Sequence, residues 1–388
     1  MLHTIGETLR ARGDDALVVA DLKAAAMKRV FGFDIMPAPF VVAHLQLGLL
    51  LQQLGVPFAE DERAGVYLTN ALTGWVPPED PKDQIPIALP EIAAERDRAD
   101  HVKRDEPILV VLGNPPYSGY AGMAIGEERD LSEAYRTAER AAQPQGQGLN
   151  DLYVRFFRMA ERRVTEMAPQ RGVVCFISNY SWLDGLSFTG MRESYLDRFD
   201  RIEVDSLNGD KYRTGKTTPA GDPDPSVFST DHNREGIQVG TAVTTLMRRA
   251  PHGPVDVVRY RDLWGTAKLA ELASDADSVQ DVDYRDVRPM VELGYPFMPR
   301  STAEGYLTWP KLPDLLPASF PGVKTSRDDF LVDIDRDRLE ARIAWYLDPT
   351  VENAEVRERY ARLMAKEGRF DGPSVRRQLL ARAGAGGR

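Results

Sequence analysis

The residues best placed to do chemistry form a four-residue turn, Asn114, Pro115, Pro116 and Tyr117, directly after the apolar run 108–112. Asn114 offers a side-chain carbonyl and Pro115 a backbone carbonyl, and both are hydrogen-bond acceptors. The prolines bring no N–H that would compete for the site, and they fix φ near about −65°, which makes the turn stiff. The sequence therefore predicts a rigid acceptor pair beside an aromatic ring. An ordinary strand-to-loop turn is the alternative, since Asn and Pro are common in turns.

Such an acceptor pair suits a reaction at an amino group whose lone pair is delocalised into a ring, such as the exocyclic amine of a nucleobase. Acceptors placed against the two amino protons favour a pyramidal nitrogen as charge develops, which is preorganised electrostatic stabilisation. The Tyr117 ring would stack on a base swung out of a duplex, because enzymes that act on duplex bases generally flip them first. We therefore take the four residues of the turn as candidate catalytic residues.

Apolar runs and helical patterns alternate along the first 250 residues. The runs that predict strands span residues 30–36, 65–72, 107–113, 171–179, 201–209 and 236–249. Alternation of strands with helices indicates a parallel sheet covered on both faces. Ligands of such sheets bind beyond the carboxyl ends of the strands, where Asp34, Asn70, Asn114 and Asn179 fall. Residues 149–167 predict an amphipathic helix with Leu152, Phe156, Met159 and Val164 near one face.

The pattern changes after about residue 251. Prolines and aromatic residues crowd the segment 289–330, and residues 335–382 are charged and helical in pattern. These features predict two domains: residues 1–250 with the sheet, and residues 251–388 with irregular α+β structure.

Composition and charge exclude several classes of protein. The longest apolar stretches, such as residues 40–51, fall short of the roughly 18 residues that cross a bilayer, and no signal peptide pattern opens the chain. We therefore expect a cytoplasmic protein with no membrane partner. The single cysteine, Cys175, is expected to pack in the core, and five histidines without paired spacing predict no zinc site. The net charge is −10, but the basic stretches 155–163 and 211–216 are either solvated faces or phosphate contacts.

Taken in order, the motifs resemble the amino-methylating DNA methyltransferases of the adenine-N6 class, whose turn is [N/D]-P-P-[Y/F]. Within that class they are most similar to the methyltransferase part of type ISP restriction-modification enzymes. Residues 31–47 resemble the family's segment in which an acid binds the cofactor ribose, and residues 66–75 resemble its next strand on the cofactor side. Residues 150–161 resemble the helix after the catalytic loop, and residues 174–193 the segment of the fifth strand. Residues 222–229 and 236–243 together resemble the hairpin region.

The resemblance implies a doubly wound Rossmann-like sheet, a reaction and its partners. The reaction would be methyl transfer from S-adenosylmethionine to adenine N6 in a specific sequence of double-stranded DNA, with the adenine flipped, as part of a restriction-modification system. Asp34 and Ile35 would bind the cofactor, with Asp34 on its ribose hydroxyls. Asn70 stands where relatives often carry an acid near the cofactor adenine. Residues 251–388 would be part of a target-recognition region, and a nuclease or helicase segment or chain would lie upstream.

One part of the family pattern is missing from the sequence. The family's glycine-rich cofactor loop precedes the acidic residue, but the 33 residues before Asp34 contain no Gly-x-Gly and no apolar strand. We therefore expect a sheet that lacks its first strand, an N-terminally truncated fragment, and weak binding of S-adenosylmethionine. A protein-glutamine or ribosomal-RNA methyltransferase is a second interpretation. A third is a catalytically inactive DNA-binding or specificity module that works with another chain.

Overall fold

A six-stranded mixed sheet is the largest sheet in a computed structural model that describes residues 2–11, 15–77, 89–117, 126–277, 283–316, 325–367 and 370–384. Its strands are β3 (Val110–Gly113), β4 (Gly172–Asn179), β5 (Arg201–Asn208), β6 (Thr241–Arg248), β7 (Val258–Asp262) and β8 (Arg285–Val287). They lie in the order β3-β4-β6-β5-β7-β8.

The six-stranded sheet confirms the α/β class, but it is not the fully parallel sheet that the alternating pattern indicates. β3 is parallel to β4, and β5 is parallel to β7, whereas β6 runs antiparallel to both of its neighbours and β8 antiparallel to β7. A parallel return needs a long crossover, usually a helix. Residues 209–240, which join β5 to β6, contain no helix, so the chain returns beside β5 in the opposite direction.

Two further strands form a separate small sheet. β1 (Gly32–Asp34) and β2 (Val66–Leu68) pair in parallel, and α3 (Pro37–Gln53) makes the crossover between them. Pro37 and Pro39 lie in the first turn of α3, where a missing N–H costs nothing. Both strands are shorter than the apolar runs 30–36 and 65–72 suggest.

Helices pack around both sheets in the first unit. They are α1 (Leu2–Ala11), α2 (Asp15–Lys28), α4 (Pro90–Asp105), α5 (Glu127–Glu133), α6 (Leu152–Thr165), α7 (Thr189–Arg198) and α8 (Lys268–Asp277). No helix in the described ranges is long and apolar enough to cross a membrane.

The helix α6 lies between two hydrophobic clusters. Phe157 and Val164 are fully buried in the main core against β4, while Phe156 and Met159 pack in a smaller cluster with Trp75. The expected grouping on one face therefore holds for Leu152, Phe156 and Met159 and is wrong for Val164. Charged residues of the helix are buried too: Arg155 pairs with Glu128, and Arg163 donates to two backbone carbonyls. Polarity in the sequence therefore does not mark the solvent side.

The chain divides into two compact units, Met1–Ala303 and Glu304–Arg388. The division falls later than the boundary expected at residue 250, because β7 and β8 continue the central sheet. The second unit contains α9 (Leu312–Leu315), α10 (Asp328–Leu331), α11 (Arg336–Tyr346), α12 (Asn353–Arg359), β9 (Lys366–Glu367), β10 (Phe370–Asp371) and α13 (Gly372–Gly384). Its own small core includes Phe330, Tyr346 and Val356.

Candidate active site

The turn Asn114–Tyr117 lies at the carboxyl end of β3, as the sequence predicts. Asn114 and Pro116 are exposed, Pro115 is buried and Tyr117 is half-buried. The Tyr117 hydroxyl donates to Asn114 Oδ1 at 2.8 Å and lies 3.3 Å from the Ile177 carbonyl on β4. Burial raises the pKa of Tyr117 well above its usual value, so the phenol keeps its proton and remains a donor. The hydroxyl thereby orients the amide of Asn114, which has a second lone pair on the same oxygen.

Phe228 meets Tyr117 at this site, although no motif marks it as a functional residue. The two rings are 6.5 Å apart between centroids with an interplanar angle of 77°, an edge-to-face arrangement. Phe228 comes from the long connection between β5 and β6, within the sequence DPDPSVFS. The signal available in the sequence is an aromatic residue shortly after two Asp-Pro pairs, which is a turn signal rather than a chemical one.

Asp210 holds the start of the same connection in place. It is buried, and its carboxylate accepts hydrogen bonds from the Tyr180 hydroxyl (3.0 Å) and from the backbone N–H groups of Gly240 (2.9 Å), Tyr212 (2.6 Å) and Arg213 (2.7 Å). Burial acts to raise the pKa of Asp210, but these hydrogen bonds outweigh it and leave the pKa lowered. The carboxylate therefore stays ionised and fixes the loop beside the ends of β4 and β5.

Asp34 and Ile35 lie at the carboxyl end of β1 in the small sheet. Asp34 is half-buried, and its Oδ1 accepts a hydrogen bond from Met36 N at 2.7 Å, so it stabilises the turn that leads into α3. Ile35 is 69% exposed. A carboxylate here can also accept hydrogen bonds from the hydroxyls of a ribose, and an exposed apolar neighbour can contact the sugar or its base.

Asn70, which follows β2, uses both ends of its side-chain amide in hydrogen bonds within the protein. Its Nδ2 donates to Glu128 at 2.7 Å, and its Oδ1 accepts from Leu72 N at 2.9 Å. Lys103 on α4, which is fully buried, donates to the Asn70 carbonyl, to Thr69 Oγ1 and to the Thr73 carbonyl at 2.9–3.0 Å. The Asn70 side chain thus makes two protein contacts that a cofactor would have to displace.

The buried lysine makes stability depend on pH. Burial lowers the pKa of Lys103 to about 8, so above that pH the unfolded chain binds more protons than the folded protein does. We expect the free energy of unfolding to rise between about pH 8 and about pH 10, by about 1 kcal/mol per pH unit at most. Urea unfolding across that range would measure the slope, and Lys103→Met is expected to lose this contribution. Equal slopes for both proteins would contradict the assignment.

Other residues at the strand ends have structural roles. Asn179 Oδ1 accepts from Ser181 N at 2.7 Å and caps a short 3₁₀ turn, and Trp182 is fully buried in the main core. The stretch 155–163 is neither a solvated face nor a phosphate track. On α6, Arg155 pairs with Glu128 of α5 and Arg162 pairs with Glu127 of the same helix. These two arginines therefore form ion pairs within the protein.

The outer strand β3 of the six-stranded sheet carries exposed apolar side chains. In the described structure, β1 has β2 as its hydrogen-bonded neighbour and β3 has β4, and each leaves its other edge unpaired. Val110 and Leu112 on β3 are 50% and 51% exposed. The helix α3 exposes a further stripe formed by Val41, Val42, Leu45 and Leu49. Exposed apolar groups at unpaired edges are typical of surfaces that another strand covers.

Comparison with known proteins gives one family match. Residues 28–211, which include Asp34 and the turn at 114–117, match the model of the Eco57I restriction-modification methylase family. In a search of curated proteins, nothing matches the chain.

Three solved structures are similar to the chain over most of its length. A nuclease-deletion mutant of the Type ISP restriction-modification enzyme LlaGI with a DNA substrate mimic has a TM-score of 0.62 at 19% identity, covering 89% of this chain and 27% of that one. The ATP-dependent Type ISP restriction-modification enzyme LlaBIII bound to DNA has a TM-score of 0.62 at 20% identity. The match covers 98% of this chain and 25% of that one. A DrdV–DNA complex has a TM-score of 0.58 at 17% identity. The match covers 94% of this chain and 35% of that one.

The chain thus spans between a quarter and about a third of the length of these three proteins. At such identities the likeness shows the fold. Together with the family match over residues 28–211, it confirms the resemblance noted from the motifs, which is to the methyltransferase part of restriction-modification enzymes.

Proposed function

We propose that this chain, as the modification part of a restriction-modification system, methylates the N6 amine of adenine in a specific DNA sequence. The observation that carries the proposal is the exposed Asn114 carbonyl, held by the Tyr117 hydroxyl at the carboxyl end of β3. It is an acceptor with a defined direction and a free lone pair. An amine whose lone pair is delocalised into a ring needs such an acceptor before it can act as a nucleophile.

The reaction would depend on acceptors that do not move. Asn114 Oδ1 and the Pro115 carbonyl accept the two protons of the amine, which directs the nitrogen lone pair out of the base plane. Pro115 is buried and the turn is stiffened by two prolines, so little reorganisation is needed as positive charge develops on nitrogen. S-adenosylmethionine supplies the methyl group when it is bound.

The aromatic pair Tyr117 and Phe228 would hold the flipped base. Base stacking on an aromatic ring contributes about 1–3 kcal/mol per base, measured by alanine substitution. Phe228 contacts Tyr117 edge-on and restricts the rotation of its ring, so the ring is already oriented when the base arrives. An apolar wall at this place also keeps water away from the amine.

Removing the Tyr117 ring should therefore weaken DNA binding rather than the fold. We expect Tyr117→Ala to raise the Kd for target DNA by about ten- to a hundred-fold, from the stacking energy above, with Tyr117→Phe close to wild type in binding. Tyr212→Ala is the matched control, because Tyr212 is 73% exposed on the neighbouring loop. Fluorescence anisotropy with labelled DNA measures the change; an equal loss for Tyr212→Ala would argue against a stacking role.

For the cofactor, the described residues fit one end of S-adenosylmethionine. Asp34 would accept hydrogen bonds from the ribose hydroxyls, and Ile35 offers an exposed apolar contact. Asn70 fits less well, since both ends of its amide are engaged by Glu128 and Leu72. No glycine-rich backbone cradle follows a strand in the described ranges.

The unpaired edges of β1 and β3 support a missing central strand. We propose that a further strand, followed by a glycine-rich turn, joins the two sheets and supplies backbone N–H groups to the cofactor. It would be donated by an upstream segment or by another chain, which could also carry nuclease and helicase functions. Residues 251–388 would take part in recognition of the DNA sequence, and we place the system in the cytoplasm.

The nature of the methylated base tests the proposal. The chain, supplied with a polypeptide that carries an apolar strand and a glycine-rich turn, should transfer a labelled methyl group to DNA that yields N6-methyladenine after digestion to nucleosides. Mass spectrometry identifies the product. Exclusive formation of a methylated cytosine, or labelling of protein or RNA only, would overturn the assignment.

The split between the sheets favours a second candidate for the chain by itself: a DNA-binding module that is inactive until another chain completes it. This module would retard DNA in a gel-shift assay without S-adenosylmethionine, yet leave the modified-base content unchanged. Methylation by the 388 residues alone would exclude it.

A further inference from the structure

A buried ion pair lies under the loop that carries Phe228. Asp224 is fully buried, and Lys268, the first residue of α8, is 2% exposed. Lys268 Nζ lies 2.7 Å from Asp224 Oδ1 and donates a second hydrogen bond to the Leu207 carbonyl at 2.6 Å. A charge pair removed from water is maintained when its geometry is good and its remaining polar atoms are satisfied. Both conditions hold here.

Asp224 also receives hydrogen bonds from two strand ends. Its Oδ2 accepts from Gly209 N at 2.7 Å, directly after β5, and its Oδ1 accepts from Gly265 N at 2.8 Å, in the loop after β7. With Lys268, these contacts join the carboxyl ends of two parallel strands and the start of α8 to one point of the β5–β6 connection. The position of Asp224 is therefore fixed by contacts with the ends of the sheet strands.

The backbone between Asp224 and Phe228 lies directly on the end of β5. A Cβ added to Gly209, whose φ is +71°, would come within 2.9 Å of Ser226 Cα, so that Gly209 permits the close approach. Ser226 is buried, and its hydroxyl accepts from Phe228 N at 3.3 Å. Phe228, four residues after Asp224, therefore has little freedom to move away from the strand end.

We infer that Asp224 and Lys268 are a positioning pair, which holds Phe228 against Tyr117 and so fixes the aromatic wall of the base site from the carboxyl ends of β5 and β7. The functional meaning of that wall rests on the proposed function. Neither residue of the pair touches Tyr117 or Asn114 in the described structure. Their effect on the site passes through the backbone of residues 225–228.

A pair that only stabilised the fold would act differently. Its loss would lower the melting temperature, but the folded molecules would keep the same contact between the rings of Phe228 and Tyr117. A positioning pair changes that contact in the folded state. The chemical shift of a fluorine label on the ring at position 228 distinguishes the two cases, because it is sensitive to a neighbouring aromatic ring.

The experiment places 4-fluorophenylalanine at position 228 of the full 388-residue chain and records its fluorine NMR spectrum. Tyr117→Leu defines the shift of the label without the ring contact. We expect Lys268→Met to move the resonance at least halfway towards that position. Lys103→Met, which removes another fully buried lysine at the end of the small sheet, should leave the resonance at its wild-type shift.

The double variant Asp224→Asn with Lys268→Met covers the case in which the single variant does not fold, because it leaves no unpaired buried charge. It is expected to fold and to shift the resonance in the same direction. A wild-type shift in a folded Lys268→Met or double variant would overturn the inference. The measurement needs neither DNA nor S-adenosylmethionine, so it stays informative if the proposed methylation is not found.

Discussion

Replacing Asn114 with alanine is expected to lower kcat for methyl transfer by about a hundred- to a thousand-fold, the typical effect of removing one preorganised hydrogen-bonding group from a site of charge development. The turn should survive, because the two prolines still restrict its backbone. Removal of the amide also leaves the Tyr117 hydroxyl with the Ile177 carbonyl as an acceptor. Affinity for DNA should therefore stay close to wild type.

The assay follows labelled methyl groups into DNA with the chain and an added polypeptide that carries an apolar strand and a glycine-rich turn, alongside anisotropy measurements of DNA binding. Asn150→Ala is a matched control, because Asn150 accepts a hydrogen bond from Arg136 at 2.9 Å in a short 3₁₀ turn. Undiminished turnover by Asn114→Ala would refute a catalytic role for this asparagine. Loss of DNA binding together with turnover would indicate a folding defect instead.

The affinity for S-adenosylmethionine should depend strongly on the proposed strand between β1 and β3, which is not present in the described sheets. We expect weak binding by the 388 residues and an affinity about a hundred-fold tighter when a polypeptide with an apolar strand and a glycine-rich turn is added. Two hydrogen bonds from backbone N–H groups to the charged cofactor contribute about 3 kcal/mol together, which corresponds to that factor. Isothermal titration calorimetry measures both affinities.

Charged substitutions at the free edge of the sheet test where the added strand binds. Leu112→Asp should remove the gain in affinity, since Leu112 is 51% exposed before binding and would be buried by it. Leu316→Asp, at a similarly exposed leucine of the second unit, should keep the gain. Micromolar affinity of the 388 residues alone would contradict this model, as would an unchanged gain for Leu112→Asp.

Much of the fold follows from the sequence because its signals are local. The Pro-rich start of α3, the strand before Asn114 and the alternation of strands with helices all appear where the pattern predicts them. The direction of β6 could not be predicted in this way, since a strand pattern has the same period in either direction. The outcome depended on residues 209–240, which form a loop instead of a crossover helix.

The burial of charged side chains was equally hidden from the sequence. The stretch 155–163 has the composition of a basic surface, yet Arg155 is buried against Glu128 and Arg162 is partly buried against Glu127. The ion pairs between α5 and α6 join residues that are far apart in the sequence, so they form only when the chain folds. Composition therefore gave the amount of positive charge and not its location.

The sequence by itself determined the candidate acceptor turn, because the ring of each proline restricts the backbone at Asn114–Tyr117 whatever surrounds it. Only the tertiary structure decided what faces that turn. Phe228 reaches Tyr117, and Lys268 reaches Asp224, through contacts between residues far apart in the chain. Such contacts exist only once the strands have paired, since the ends of β5 and β7 must lie side by side before one carboxylate can bind both.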